Sequence, residues 1–152
     1  LIALYSSYYY FYGYFHVYPA LSANSFEFGF KELADFQTKN PGKMFIVWDD
    51  KYPYTHFCFW QNLPLTTCQP DNTNTRVFVN KSRVDLSLPT VFFSLPNSLA
   101  DLELIINQYQ PKFFVLPGKY QKEFSSYAQK YKSIKTIKNP DLTTAFEIYQ
   151  LN

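Results

Sequence analysis

Few residues in this chain have the chemistry to act on a ligand. Asp49 and Asp50 stand side by side after the apolar run Lys43–Trp48. Paired carboxylates can hold a divalent cation or exchange protons with a substrate, and open α/β sheets gather ligands beyond the carboxyl ends of their strands. Consecutive strand residues point to opposite faces, so the two carboxylates do not converge by themselves. A turn residue followed by a helix cap accounts for the pair equally. The only histidines are His16 and His56. His56 and Cys58 share a face if their segment is extended, but nothing nearby suggests an oxyanion hole, and packing is the expected role. Cys58 and Cys68 close a small loop as a disulfide if the domain faces an oxidising compartment; two buried free thiols fit the same spacing. Asn80-Lys81-Ser82 matches the N-glycosylation acceptor, which matters only in a eukaryotic secretory setting.

Several function classes are excluded at once. The 4 glycines are isolated, so no Gly-rich phosphate loop can be written. With 2 Cys and 2 His there is no Cys-rich zinc module, and no metal site is expected beyond the candidate pair Asp49 and Asp50. A net charge of +2 makes nucleic acid an unsuitable partner. No Asp-x-Asp occurs, which weakens a nucleotide-sugar reading. The carboxyl-terminal part holds Lys112, Lys119, Lys122, Lys130, Lys132, Lys135 and Lys138 against Glu123, Asp141 and Glu147. Such a segment is either a basic face for anionic headgroups or a solvated surface.

The elements that must position these groups follow from pattern. With 47% hydrophobic and 17% charged residues, the 152-residue chain can bury one core. Asn24-Ser-Phe-Glu27 reads as a helix start, Phe26, Phe30, Leu33 and Ala34 recur at helical spacing, and Asn40-Pro41-Gly42 ends the helix. Lys43–Trp48, Arg76–Lys81, Pro89–Leu95 and Lys112–Leu116 read as short strands, while Tyr54–Trp60 is a short helix or an extended piece. Thr66–Asn74 is the expected loop. Asn97 is the expected cap of a helix carrying Leu99, Leu102, Ile106 and Tyr109, and Phe124, Tyr127, Ala128 and Tyr131 mark another helix. Ser133–Lys138 and Thr144–Leu151 read as a closing antiparallel hairpin. The alternation predicts an α/β fold: a small three-layer, mostly parallel sheet with helices on both faces and a carboxyl-terminal antiparallel hairpin.

Aromatic residues make up 21% of the chain, and they crowd its beginning, with Tyr5, Tyr8, Tyr9, Tyr10, Phe11, Tyr12, Tyr14, Phe15 and Tyr18 all preceding Pro19. No charged side chain appears before Glu27. A stretch of this length approaches the roughly 20 residues of a membrane span. Tyrosine, however, belongs to the interface rather than the hydrocarbon centre. The expectation is that residues 1–20 are the end of a transmembrane or interfacial helix, and that 21–152 form an extracytoplasmic soluble α/β domain. On a helix, Tyr5, Tyr8, Tyr9 and Tyr12 share one face and would meet the membrane interface. The chain opens on Leu1, so a longer protein is expected. A secretory signal fits poorly, because there is no basic n-region and no small-residue cleavage site.

The segment Tyr14-Phe-His-Val-Tyr-Pro19, followed by Ser22, Phe26 and Phe28-Gly29-Phe30-Lys31-Glu32, resembles the carboxyl-terminal part of integral-membrane glycosyltransferases of the ArnT-like / protein-O-mannosyltransferase group, in the GT-C superfamily. The resemblance implies a parent enzyme that transfers a sugar from a polyprenyl-phosphate donor to a lipid, glycan or protein acceptor. It implies a cell-membrane location, membrane lipid and the missing transmembrane part of the chain as partners, and for the parent enzyme a divalent metal. The family's catalytic acid lies near its amino terminus. No position here matches it, so no catalytic residue is carried over, no cofactor is expected in this fragment, and the fragment alone is expected to be accessory. Two other readings stand beside this one: a membrane-tethered, non-catalytic α/β binding domain, and a free-standing enzyme using Asp49, Asp50 or His56.

Overall fold

Short runs of β-branched and aromatic residues build the sheet, and amphipathic segments between them build the helices. The computed structural model describes residues 2–13, 29–48, 54–64, 76–86 and 88–151. In chain order the elements are α1 (Ile2–Tyr12), α2 (Phe30–Lys39), β1 (Met44–Val47), α3 (Tyr54–Trp60), β2 (Arg76–Val79), β3 (Ser82–Asp85), β4 (Val91–Ser94), α4 (Leu99–Tyr109), β5 (Phe113–Pro117), a single 3-10 turn (Gly118–Tyr120), α5 (Gln121–Ala128), β6 (Lys132–Lys138) and β7 (Thr144–Gln150).

The strands form one seven-stranded sheet in the order β2-β3-β4-β1-β5-β7-β6. Its centre is parallel: β1 lies between β4 and β5, with Phe45 beside Phe92 on one side and Phe114 on the other. These three strands are the continuous apolar runs expected of strands buried on both faces. The remaining pairs, β2–β3, β3–β4, β5–β7 and β6–β7, are antiparallel. The sheet is therefore mixed and mostly antiparallel, which corrects the expectation of a mostly parallel one. Connection length is the physical reason. Asn80-Lys81 joins β2 to β3 and a short link joins β3 to β4, and neither is long enough for the crossover that parallel neighbours need. At the other edge, α5 carries the chain over to β6, and β7 returns by a hairpin into the gap between β6 and β5. The carboxyl-terminal antiparallel hairpin is as expected.

Strand alternation divides the core into two layers. Met44, Ile46, Val91, Phe93, Phe113, Val115, Phe146 and Ile148 face α2 and α3, which contribute Phe30, Leu33, Phe36 and Phe57. Phe45, Val47, Phe92, Phe114, Leu116 and Tyr149 face α4 and α5, which contribute Leu102, Ile105, Phe124 and Tyr127. Helices thus cover both faces. Much of the Phe content is spent here, in edge-to-face contacts such as Phe30–Phe146 at 5.1 Å and Phe36–Phe113 at 5.2 Å.

Local chemistry sets the element ends. Gly29 precedes α2 with φ 92 and lies so close to Ile137 and Phe146 that a Cβ would stand 3.0 Å from each. Only glycine takes that backbone shape and that proximity together without strain. The expected start of this helix, at Asn24–Glu27, lies outside the described residues. The cap of α4 is Ser98, whose side chain accepts from the Asp101 N–H, and not the neighbouring Asn97. The segment Tyr54–Trp60 resolves as a helix.

Candidate functional site

Helix α1 carries aromatic rings around its whole circumference. Tyr5 and Tyr9 approach to 4.8 Å between ring centroids, Tyr8 stacks on Tyr12 at 6.1 Å and meets Tyr9 at 6.2 Å, so these four tyrosines make one continuous stripe. Tyr10 and Phe11 contact each other at 5.7 Å on the other side. From Tyr5 to Tyr12 each of these six rings is exposed, by 49% at the least. A helix that is apolar all round is ordinarily buried in a core or in lipid. At eleven residues it rises about 17 Å. Among the described residues no helix is long and apolar enough to cross a membrane.

The carboxyl end of the parallel strands is the second candidate. The chain leaves β1 for α3 on one face of the sheet and leaves β4 for α4 on the other, so the gap between these strand ends is a topological switch point. Asp49 and Asp50 follow β1 in sequence but lie outside the described residues. What the structure does describe there is Trp48, packed edge-on against Phe30 at 5.0 Å, with the Lys119 ammonium 4.2 Å from its ring centroid and 4.8 Å from that of Tyr120. The Trp48 indole N–H has no hydrogen-bond partner among the described residues. Lys119 is placed by Gly118, which turns the chain out of β5 against the Thr144 carbonyl.

The other candidates resolve into packing and turn chemistry. His56 stacks on Phe30 at 4.6 Å, the packing role expected of it. In the helix α3, His56 and Cys58 do not share the face they would share if extended. Cys58 is buried and disulfide-bonded; Cys68 lies outside the described residues. His16 lies outside them too. The glycosylation tripeptide forms the β2–β3 turn. Asn80 takes a left-handed conformation, φ 56, which asparagine tolerates better than most residues. Its side-chain amide donates to Asp101 Oδ1 at 2.5 Å, and the buried Ser82 hydroxyl donates to Asp101 Oδ2 at 3.0 Å and accepts from the Asn97 N–H at 3.1 Å. Asp101 is the functional-type residue that sequence reasoning missed. It is 3% exposed, and the signal was its spacing of three from the capping serine.

The lysines of the carboxyl-terminal part do not gather into one face. Lys130 pairs with Glu103 of α4 at 3.0 Å, whereas Lys135 reaches the Phe36 ring of α2 on the opposite side of the sheet. Elsewhere Glu147 accepts from Ser133 at 2.7 Å and from Gln121 at 3.1 Å. Burial, and then a hydrogen bond to Glu147, pushes the Tyr149 hydroxyl well above its ordinary range; burial, and then Tyr131, does the same to Tyr127. Among the described residues no group of three His, Cys, Asp or Glu could hold a metal ion. No family model, curated protein or solved structure matches the chain.

Proposed function

We propose that this chain is the membrane-proximal end of a larger membrane protein: an interfacial helix leading into an accessory α/β domain on the extracytoplasmic side. The observation that carries this reading is α1, whose six rings from Tyr5 to Tyr12 are exposed on every side, whereas the α/β domain buries most of its phenylalanines in the two core layers. Tyrosine rings with wet hydroxyls suit the headgroup level, where an apolar body and a polar tip are both satisfied. The disulfide at Cys58 supports an oxidising compartment, since such bonds are rare in reducing ones. It fits closure onto Cys68, the one other cysteine in the sequence.

Within that reading, the resemblance at Tyr14–Pro19 and Phe28–Glu32 supports a parent enzyme of the ArnT-like / protein-O-mannosyltransferase group, transferring sugar from a polyprenyl-phosphate carrier. The domain would then cap the donor site or help select the acceptor, while the catalytic acid and any divalent metal belong to the transmembrane part. A membrane-tethered domain with no enzymatic parent is the second reading, and it shares the same helix and the same disulfide. The sequence encoded upstream of Leu1 distinguishes them. Many hydrophobic spans with an acidic residue in the first extracytoplasmic loop support the glycosyltransferase. A single span supports the tethered domain, and no span removes both. For the membrane placement itself the test is flotation of the full 152-residue chain with phosphatidylcholine vesicles. Substituting Tyr5, Tyr8, Tyr9 and Tyr12 by Ser should reduce it sharply.

A further inference from the structure

Phe59 and Trp60 end α3 as an edge-to-face pair, 4.8 Å between ring centroids, and both are exposed, Phe59 by 73%. Among the described residues of the domain, the other exposed large apolar side chains are Phe78, Leu99, Leu104 and Leu142, and none of them is an aromatic pair. A large aromatic pair left in water forgoes the free energy of burying its apolar area, and α3 is held in place. Phe57 is fully buried, the neighbouring Cys58 is disulfide-bonded, and the Gln61 side chain donates to Gln37 of α2 at 2.7 Å. The pair is therefore presented on a fixed support.

Its location is also defined. Phe30, at the first turn of α2, touches His56 and Phe57 of α3. Lys31, the next residue, places its ammonium 5.9 Å from the Trp60 ring centroid. Trp60 therefore lies beside the first turn of α2, at the amino-terminal end of the described α/β domain. Lys31 also pairs with Asp35 at 2.8 Å, which leaves the patch aromatic and close to neutral. That combination matches the headgroup level of a bilayer, where tryptophan and snorkelling lysine are both favoured. It does not match an anionic surface that needs net positive charge.

We propose that Phe59 and Trp60 form a second interfacial anchor, laying the α2–α3 end of the domain on the membrane that α1 enters. The proposal rests on the membrane reading of α1 and adds an orientation to it. Two anchors restrict the domain to one face toward the bilayer, so the opposite end of the α2–α3 layer points away from lipid.

Trp60 reports on this directly, because the only other tryptophan is the buried Trp48. The full chain and its Trp60→Phe variant are mixed with phosphatidylcholine vesicles whose acyl chains carry bromine near the headgroup end. The difference between their emission spectra isolates Trp60. A blue-shifted, bromine-quenched difference spectrum is expected. Phe59→Asp, at an exposed position where folding is not at stake, should remove the shift and the quenching while the protein still floats through α1. Raised salt should leave both unchanged. A protein that floats while its Trp60 signal stays red-shifted and unquenched overturns the second anchor and leaves the α1 reading intact. A protein that does not float overturns both.

Discussion

Gly118 is the position where a single methyl group should do most damage. It opens the 3-10 turn directly after β5, and a Cβ placed on it would stand 1.9 Å from the Thr144 carbonyl oxygen and 3.0 Å from its carbon. The obstacle is backbone, fixed in the first residue of β7, so no side-chain rotation relieves it. Either the end of β5 moves away from β7, unpairing Pro117 from Phe146, or the 3-10 turn carrying Lys119 is displaced from Trp48. Overpacking ordinarily costs about 1–3 kcal/mol, and contact with a fixed carbonyl places Gly118→Ala at the upper limit, about 3 kcal/mol. For a chain of this size that lowers the melting temperature by about 6–12 °C. The sign makes the experiment decisive. Gly118 has no positive φ, and a glycine with alanine-compatible angles is ordinarily stabilised by alanine, by about 0.4–1 kcal/mol. Thermal unfolding followed by circular dichroism should show the fall, with Gly13→Ala, where nothing lies within 4 Å, as a control that does not. An unchanged or raised melting temperature for Gly118→Ala would refute the argument.

Three further outcomes follow from the same contacts. Asp101→Ala strands the Asn80 amide and the buried Ser82 hydroxyl, and urea unfolding should show a loss of about 2–3 kcal/mol, with Asp101→Asn recovering part of it. Cys58→Ser should cost about 2–4 kcal/mol, and a reductant should lower the melting temperature of the native chain but not of the variant. Tyr127 and Tyr149 have their hydroxyl pKa raised by burial from the ordinary value of 10.0. Their contribution to stability is therefore complete below pH 10 and declines as pH rises through and beyond it. Tyr127→Phe should flatten that alkaline decline in a pH series of unfolding curves, and an unchanged slope would count against burial as the cause.

The parts legible in the sequence are those where one local rule acts alone. The central strands β4, β1 and β5 are continuous apolar runs, and helices α4 and α5 bear clean apolar stripes bounded by Pro111 and by polar turns. What escaped was decided by pairing. Ser82–Asp85 alternates weakly, SRVD, and carries no strand signature of its own. It becomes a strand because Asn80 accepts a left-handed turn and Asp101 fastens that turn to the start of α4. With β3 unread, the antiparallel edge was unread as well, and the sheet looked mostly parallel. The cap at Ser98 rather than Asn97 shows the same limit, since both side chains suit the position and only the hydrogen bond from Asp101 selects one.

The same division separates the two candidate sites. A site made by convergence, such as the carboxyl end of β1, depends on residues brought together from β1, β5 and the turn at Gly118. Lys119 over Trp48 was accordingly invisible in the sequence. A site made by composition needs no convergence, and the aromatic helix was visible before any coordinate. In solution such a helix is costly on every side, because rotating it exposes one ring as it buries another. Burial against the domain could relieve only one face of it. Surroundings that satisfy the whole circumference at once, apolar for the rings and wet for the hydroxyls, are found at the edge of a bilayer. That is why α1 weighs more in the functional reading than any pair of acidic residues.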